Sequence, residues 1–242
     1  MERLRERLAY LHQHHGLTGV KGGTEVEAQS FDEIWLMKQI SAEIVPLTVK
    51  IGGPEARNDI EFMLAAGVDC ILAPMVESAY SLKNFVSTMA ALDREGRAEL
   101  AVNIETITAF RNLDSIFSSE AFAAIDQVTV GRSDLSGSMD LDVDDPEVSR
   151  VTRVIIASAR KKGKRTSVGG QVSTENATLV QAELGPHCIN TRHMMVDLSR
   201  GDAARNIEAV LLWERDYYHF LNENFPSRQS FYNSRIISIE ER

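Results

Sequence analysis

Two carboxylates follow short apolar runs and together could hold a hard divalent cation. Glu105 comes directly after Leu100–Ile104, and Asp134 lies just beyond Gln127–Gly131. Mg²⁺ prefers oxygen ligands, and a site with one or two carboxylates keeps positions for water and substrate. The alternative for Glu105 is an acid in a first helical turn, where the helix dipole favours it. The functional hypothesis is a two-carboxylate Mg²⁺ or Mn²⁺ site.

Two lysines occupy similar places in earlier apolar runs. Lys50 lies near the end of Leu47–Ile51, and a charge at the end of a buried strand is costly unless it is paired. In a barrel we expect Lys50 to reach over the metal site and donate to a substrate oxygen, whereas the alternative is a surface lysine on a loop. Lys21 is placed similarly, with Glu25 and Glu27 just beyond it. These residues form either an ion pair at the rim or a base with its orienting partner.

The segment GRSDLSGS at 131–138 is polar and Gly-rich. Gly131 and Gly137 let the backbone approach a ligand closely, and successive amides in such a turn can bind an anion. The alternative is an ordinary turn in which Asp134 caps the next element. The segment is long and polar for a simple turn, so we predict a ligand-binding turn.

Other polar clusters have simpler explanations. His12, His14 and His15 are spaced like a metal-binding tract, but positive side chains are favoured at a helix C-terminus. We therefore interpret them as a solvated helix end. The segment GGPEA at 52–56 lacks the Lys-Ser/Thr of a phosphate-binding loop, and the sequence contains no zinc-spaced Cys/His set, nucleophile elbow or dinucleotide-binding fingerprint.

Short apolar, β-branched runs alternate with stretches of helical spacing. The predicted strands are Leu17–Lys21, Leu47–Ile51, Cys70–Pro74, Leu100–Ile104, Gln127–Gly131, Thr166–Gly169 and Cys188–Thr191. The predicted helices are Glu2–His14, Arg57–Ala66, Ser78–Arg94, Thr106–Phe117 and Pro146–Lys162, the last with Asp145 as its N-cap. This alternation indicates βαβ units and a parallel sheet buried on both faces.

The positions of the polar groups favour a barrel over an open sheet. Nearly every predicted strand ends in a reactive or Gly-rich cluster, whereas an open doubly wound sheet concentrates function at one or two crevices. We therefore predict an α/β protein with a single domain, a TIM-type (β/α)₈ barrel over residues 1–242. Seven strands are evident, and Glu2–His14 reads as a helix before the first of them. The eighth strand is therefore absent, hidden near the N-terminus or supplied otherwise.

The composition is that of an acidic globular protein. The chain has 242 residues, with 26 Lys and Arg against 35 Asp and Glu and a net charge of −9. This charge disfavours nucleic acid and anionic membranes as partners. Cys70 and Cys188 lie in apolar runs and read as buried free thiols in a reducing compartment. With no signal-peptide pattern and no apolar span in the sequence, we expect a cytoplasmic protein.

Two motifs resemble the HpcH/HpaI aldolase/citrate lyase family, part of the phosphoenolpyruvate/pyruvate barrel superfamily. They are VNIETITAFRNLDSI at 102–116 and VTVGRSDLSGSMD at 128–140, with VKIGG at 49–53 and AAGVDCILAPMVES at 65–78 upstream in the same order. The similarity runs from about Lys21 to Asp197. The family's first strand has no visible counterpart, so we expect the first barrel strand to be missing or modified.

The resemblance implies a class II aldolase or lyase that handles pyruvate or a related 2-oxo acid with one Mg²⁺ or Mn²⁺. It assigns the metal ligands to Glu105 and Asp134. It also places the backbone amides around Ser133 and Asp134 on the substrate carboxylate. We assign the neighbouring Gly131 and Arg132 to substrate binding as well.

The chain departs from the family pattern at two places. The family's substrate-binding arginine corresponds to Lys50, which keeps the charge but loses the planar fork. The family's acid–base Glu-His pair is absent from GGTEVEAQS at 22–30. Lys21, Glu25, Glu27 or a metal-bound water must then move the proton.

Residues 213–242 extend beyond the similarity and are rich in large apolar side chains. These are Trp213, Tyr217, Tyr218, Phe220, Leu221 and Phe225. Their exposure would be costly, and members of the family often exchange a C-terminal helix between subunits. We predict a helical extension that makes contacts in a homo-oligomer.

Together these assignments predict a metal-dependent class II aldolase or carbon–carbon lyase. The cation and Lys50 would stabilise the enolate of a pyruvate-like 2-oxo acid, and the second reactant would be an aldehyde. One alternative is a lyase or thioesterase for a malyl- or citramalyl-type acyl-CoA, for which the sequence has no positive signature. The other is a non-catalytic barrel that binds a small acid; the missing histidine favours it, and the retention of both carboxylates opposes it.

Overall fold

The computed structural model describes residues 1–197 and 199–241, and within these ranges eight strands close into a barrel. The strands are β1 (Leu17–Gly23), β2 (Leu47–Lys50), β3 (Cys70–Ala73), β4 (Glu99–Asn103), β5 (Gln127–Gly131), β6 (Arg165–Gly169), β7 (Cys188–Asn190) and β8 (Met194–Asp197). The seven predicted strands are all present, with ends that differ from the predicted ends by at most two residues. The predicted α/β barrel is therefore confirmed.

The eighth strand is neither absent nor hidden near the N-terminus. Strands β1 to β7 pair in parallel, whereas β8 runs antiparallel to both β7 and β1 and closes the barrel between them. A tight turn leads into β8, and the Thr191 amide donates to the Met194 carbonyl at 2.9 Å. This turn lacks the Asn-Gly or Gly signals of common hairpins, and β8 is only four residues long. Its sequence pattern was therefore too weak to predict.

Eleven α-helices lie in the described ranges. They are α1 (Glu2–His14), α2 (Phe31–Ser41), α3 (Arg57–Ala65), α4 (Ala79–Leu92), α5 (Ile107–Arg111), α6 (Leu113–Ser118), α7 (Arg132–Ser138), α8 (Pro146–Lys161), α9 (Ala177–Leu184), α10 (Ala203–Asn224) and α11 (Gln229–Glu240). The single helix predicted over 106–117 is two short helices that meet at Asn112. The turn predicted at 131–138 is also wrong, because Gly131 ends β5 and residues 132–138 form α7 directly after it.

The helix starts follow from local capping chemistry. The Asp145 carboxylate accepts a hydrogen bond from the Glu147 amide at 2.7 Å, and Pro146 occupies the first helical position of α8, as predicted. At α2, Ser30 and Glu33 form a capping box in which each side chain accepts from the other residue's amide. These caps fix where each helix leaves the barrel rim.

The large aromatic side chains of the C-terminal helices pack within their own chain. Trp213, Tyr217, Tyr218 and Tyr232 are at most 2% exposed. The Trp213 indole donates to the Leu4 carbonyl at 2.9 Å and so ties α10 to α1. Because these side chains are already covered, their apolar area gives no reason to expect subunit contacts. A homo-oligomer stays a prediction.

The two cysteines differ in burial. Cys70 is buried, and burial raises the pKa of its thiol to about 12. Cys188 is a free thiol that is only half-buried, so the expectation of burial is wrong for this residue. Among the helices of residues 1–197 and 199–241, none is long and apolar enough to cross a membrane.

Candidate active site

A cavity of about 320 Å³ opens at the carboxyl ends of the barrel strands. Its charged lining residues are Lys21, Glu25, Glu27, Lys50, Glu105, Asp134, Arg192 and Arg235. Active sites of (β/α)₈ barrels lie at this face, because the loops after all the strands converge there. The cavity therefore collects most of the residues predicted from the sequence.

Glu105 is buried just beyond the end of β4 and has an extensive set of donors. Its Oε1 accepts from the Met75 amide at 3.0 Å. Its Oε2 accepts from Asn103 Nδ2 at 2.6 Å and from Lys50 Nζ at 3.3 Å. Burial raises the pKa of Glu105, while the charge of Lys50 acts in the opposite direction. Met75 has a φ of 51°, a backbone conformation that is strained for a residue with a side chain and is typical of functional sites.

Two glycines make room for groups at the bottom of the cavity. A Cβ at Gly131 would lie 2.6 Å from Glu105 Oε2. Gly170 has a φ of +97°, and a Cβ there would lie 2.6 Å from the Ser133 backbone nitrogen. Both positions therefore require glycine, because a side chain would clash with Glu105 at the first and with the Ser133 backbone at the second.

The Lys50 ammonium lies among three carboxylates. Its Nζ is 3.1 Å from Glu25, 3.3 Å from Glu105 and 4.0 Å from Asp134. Burial disfavours the charged form, but Glu105 and Glu25 outweigh it and hold the pKa of Lys50 above its ordinary value. Lys50 is therefore a fixed cation rather than a proton carrier, and it lines the cavity.

Lys21, on β1, has the opposite electrostatic environment. Burial is the largest influence and the nearby charge of Lys50 the second, and together they lower the pKa of Lys21 to about 8. A lysine with this pKa is partly neutral near physiological pH and can accept a proton. Glu25, by contrast, is engaged with Lys50 at the rim.

Of the residues assigned to substrate binding, Gly131 and Ser133 line the cavity and Arg132 does not. The Arg132 side chain is buried, donates to the Gly170 carbonyl at 2.8 Å and lies 3.5 Å from Asp144. The Arg132 side chain lies outside the cavity because residues 132 and 133 belong to a helix, and adjacent helical positions face different directions. Arg132 supports the loop after β6 instead.

Sequence reasoning assigned no role to Arg192 or Arg235, and both line the cavity. Arg192 lies in the turn between β7 and β8 and pairs with Glu27 at 2.6 Å. Arg235 comes from α11 and lies 3.6 Å from Glu27. The polar end of β7 was a signal for Arg192, but no local pattern could place α11 over the barrel.

A buried histidine lies behind the cavity lining and contacts Glu27 through Tyr218. His193 is fully buried, and its Nε2 lies 2.7 Å from the Tyr218 hydroxyl. Tyr218 in turn donates to Glu27 at 3.3 Å. Burial lowers the pKa of His193. The imidazole is therefore held neutral in the wall and does not line the cavity.

The residues around Glu105 are compatible with a divalent cation. Within the part of the chain that the structure describes, no three His, Cys, Asp or Glu side chains form a ready metal cluster. However, Glu105 and Asp134 are close to the same Lys50 ammonium. The buried amide oxygen of Asn103 has no hydrogen-bond partner among the described residues. These are hard oxygen donors, which suit Mg²⁺ or Mn²⁺ with water and substrate in the remaining positions.

A closed eight-stranded α/β barrel with ionisable side chains at its strand ends is an enzyme architecture. Residues 36–185 match the model of the HpcH/HpaI aldolase/citrate lyase family. The chain belongs to this family, which is one of carbon–carbon lyases.

Solved structures of the same family share the fold. The chain is similar to an HpcH/HpaI aldolase/citrate lyase family protein from Burkholderia cenocepacia, with 15% identity, a TM-score of 0.64 and coverage of 86% of this chain and 87% of that one. An HpcH/HpaI aldolase from Desulfitobacterium hafniense gives 17% identity and a TM-score of 0.61 over 77% and 80% of the two chains.

A sequence similarity also links the chain to chloroplastic pyruvate kinase isozyme A of Ricinus communis. The identity is 30% over 114 residues, which is 47% of this chain and 18% of the relative. The chain thus spans less than a fifth of that relative's length.

Proposed function

We propose that the protein is an aldolase or related carbon–carbon lyase that acts on a pyruvate-like 2-oxo acid through an enolate. One observation carries this proposal. A lysine held in its charged form lies among Glu25, Glu105 and Asp134 at the carboxyl ends of the strands. Such a cation stabilises negative charge that develops on a substrate oxygen. Membership of a lyase family supports the same reaction class.

Glu105 and Asp134 would hold the divalent cation, Mg²⁺ or Mn²⁺. When bound, the cation supplies Lewis-acid polarisation of the substrate's carboxylate and 2-oxo oxygens. The Ser133 amide, beside Gly170 at the cavity, would donate to the substrate carboxylate. These contacts would fix the 2-oxo acid before any bond breaks.

The chain's own residues account for the charge and the proton. In the cleavage direction the substrate is a 2-oxo acid with a hydroxyl group on C4. Neutral Lys21 removes the proton of this hydroxyl, and the C3–C4 bond breaks. The electron pair moves to the 2-oxo group as an enolate, to whose oxygen Lys50 donates, and an aldehyde leaves. Protonated Lys21 then delivers its proton to C3 and gives the 2-oxo acid; the reverse of this step exchanges the C3 protons of pyruvate. Lys21 suits this role because a pKa of about 8 leaves part of it neutral near physiological pH.

The test is proton exchange, which demands enolate chemistry but requires no knowledge of the aldehyde. Pyruvate is incubated with the protein and Mn²⁺ in deuterated water, and loss of the methyl proton signal is followed by NMR. We expect exchange that is faster than with Mn²⁺ alone and that is lost in the variant carrying Glu105→Gln and Asp134→Asn. A protein that binds Mn²⁺ but promotes no exchange would contradict the proposal and favour a barrel that binds a small acid without reacting.

A further inference from the structure

A second cavity, of about 580 Å³, lies between α8 and α9. It shares no lining residue with the active-site cavity in the part of the chain that the structure describes. Its apolar lining residues are Pro146, Leu179, Val180 and Leu184, and its charged ones are Arg132, Asp144, Arg153 and Glu183. An apolar cavity of this size with a few charged groups is typical of sites for small organic molecules.

Arg132 is the buried charge of this cavity. Its side chain is 2% exposed, and its Nη2 donates to the Gly170 carbonyl at 2.8 Å. Its Nε is also buried and has no hydrogen-bond partner among the described residues. A buried donor without a partner is costly, and a guanidinium has five N–H donors to satisfy. Arg132 can therefore accommodate a further acceptor.

Asp144 is the carboxylate that faces Arg132, and it lies mostly in water. Its Oδ1 is 3.5 Å from Arg132 Nη1, which is longer than a good hydrogen bond, and its side chain is 71% exposed. An ion pair with such an exposed partner contributes little to stability. Asp144 can therefore turn outward at small cost and leave the guanidinium to an anion from solution.

Arg153, on α8, supplies a second positive charge. Its Nε donates to the Glu183 carbonyl at 2.9 Å, and no carboxylate in the described ranges lies within ion-pair distance of it. Helix α9 also begins at this cavity, and the side chain of its N-cap residue, Asn176, makes no cap bond. The positive end of a helix dipole favours an anion. Together with the buried guanidinium, these groups favour an anionic ligand.

Arg132 also connects this cavity with the active site. The carbonyl to which it donates belongs to Gly170, which lines the active-site cavity together with Ser133. These two backbones are in tight contact, because a Cβ at Gly170 would lie 2.6 Å from the Ser133 nitrogen. An anion that draws the Arg132 guanidinium toward itself weakens its hydrogen bond to Gly170. Occupation of the second cavity should therefore alter the backbone at the active site.

We propose that the cavity between α8 and α9 is an effector site for a small organic anion. Arg132 and Arg153 bind its carboxylate or phosphate group, and the apolar lining of the cavity covers the rest of the molecule. The inference goes beyond the proposed reaction and does not depend on it.

Four probes test the ligand class by calorimetry in the absence of divalent metal: benzoate, phenyl phosphate, benzamide and inorganic phosphate. Benzamide has the shape of benzoate without its charge, so benzoate or phenyl phosphate should bind about tenfold more tightly than benzamide. Inorganic phosphate lacks the apolar part and should bind more weakly than phenyl phosphate. The tighter of the two aromatic anions identifies the preferred anionic group. Binding of neither anion, or equal binding of benzamide, would overturn the proposal.

Variants outside the active-site cavity place the anion. Arg153→Gln should weaken its binding about tenfold, and Arg153→Lys should retain part of the affinity, because the charge stays while the planar fork is lost. Asp144→Asn should act in the opposite direction and tighten binding about 2- to 5-fold, since the competing carboxylate is removed.

The matched control is Arg150→Gln, which removes an exposed arginine of the same helix that pairs with Glu147 outside the cavity. It should leave the affinity unchanged. Unchanged affinity in Arg153→Gln, with binding lost instead in Lys50→Met, would place the anion in the active-site cavity and overturn the proposal.

Hydrogen exchange measured by mass spectrometry tests the effector role without requiring activity. With the tighter anion bound, amides in residues 131–138 and 169–172 should exchange faster, because the hydrogen bond from Arg132 to Gly170 is weakened. This change should be lost in Arg153→Gln at the same anion concentration. Binding that depends on Arg153 but leaves these amides unchanged would overturn the effector role. Failure of the pyruvate exchange assay would contradict the lyase function alone, because neither measurement here uses that reaction.

Discussion

Gly131 and Glu105 pack so closely that only a residue without a side chain fits beside the carboxylate. A Cβ at Gly131 would lie 2.6 Å from Glu105 Oε2 and 3.3 Å from Glu105 Cβ. Glu105 is 1% exposed, so it has little free space into which it could move. The end of β5 therefore sets the position of the carboxylate at the end of β4.

Gly131→Ala is accordingly expected to displace the Glu105 carboxylate and weaken Mn²⁺ binding about tenfold or more, the range found for residues that orient metal ligands. Calorimetry with Mn²⁺ measures the change. The matched control is Gly137→Ala in the same segment, where a Cβ meets no heavy atom within 4 Å. It should leave binding intact and stabilise α7 by up to about 1 kcal/mol. Equal Mn²⁺ affinity in both variants would contradict the expected role of Gly131.

The two carboxylates should be necessary for metal binding. Glu105→Gln combined with Asp134→Asn removes both charges while preserving side-chain size, so we expect Mn²⁺ binding to be lost and the fold to be retained. Calorimetry and circular dichroism check the two outcomes. The control combines Asp142→Asn with Glu147→Gln, two exposed acids outside the cavity. Unchanged Mn²⁺ affinity in the first double variant would place the cation elsewhere.

Lys21 should set the pH dependence of exchange. With its pKa lowered to about 8, the side chain is protonated and inactive as a base at lower pH. The exchange rate should therefore rise with pH up to about 8 and level off above it. Lys21→Met should abolish this rise of the exchange rate with pH. Lys162→Met, at an exposed position after α8, should preserve it. If the exchange rate of Lys21→Met still rises with pH up to about 8, another group removes the substrate proton.

Burial makes the charged form of Lys21 less favourable in the folded protein than in water, and this lowers its pKa. Lys21→Met should therefore not lower the free energy of unfolding near pH 7, where the native lysine is charged. Chemical denaturation of the same variant measures this. A large loss of stability together with the loss of exchange would point to a structural role.

The barrel and most of its site could be predicted from the sequence because both depend on local pattern. Continuous apolar runs predicted the parallel strands. Barrel geometry then placed Lys50, Glu105 and Asp134 near one another, because side chains after successive strand ends meet at one face. The Arg132 side chain lies outside the cavity because the segment after β5 is a helix, in which adjacent side chains face different directions.

The positions of Arg192 and Arg235 at the cavity could not be predicted, because they depend on packing between distant segments. Arg235 reaches the cavity only because α11 is anchored on Glu33, which accepts from the Tyr232 hydroxyl at 2.7 Å and also pairs with Arg228. No spacing in the sequence relates residue 235 to the barrel. The short antiparallel β8, which follows the turn that carries Arg192 and His193, was missed for a different reason: four residues after a turn without a hairpin signal give too weak a pattern.

Lys50 supplies the last prediction, which tests the mechanism. Its ammonium is held among Glu25, Glu105 and Asp134. If it stabilises charge that develops only in the transition state, its removal should reduce turnover far more than substrate affinity. The alternative is a lysine that forms a covalent imine with the 2-oxo group. The two roles differ in whether another cation can replace lysine.

Lys50→Met keeps most of the side-chain volume and should slow pyruvate exchange by about 10²- to 10³-fold at saturating Mn²⁺, the usual effect of removing one such donor. Lys50→Arg restores the charge with a wider head and should recover part of the rate. Exchange kinetics of the three proteins, with circular dichroism as the control for folding, provide the measurement. A Lys50→Met protein as fast as the wild type would remove Lys50 from the mechanism. Trapping of a pyruvate adduct on Lys50 by borohydride, with no recovery in Lys50→Arg, would replace the enolate-stabilising role by an imine.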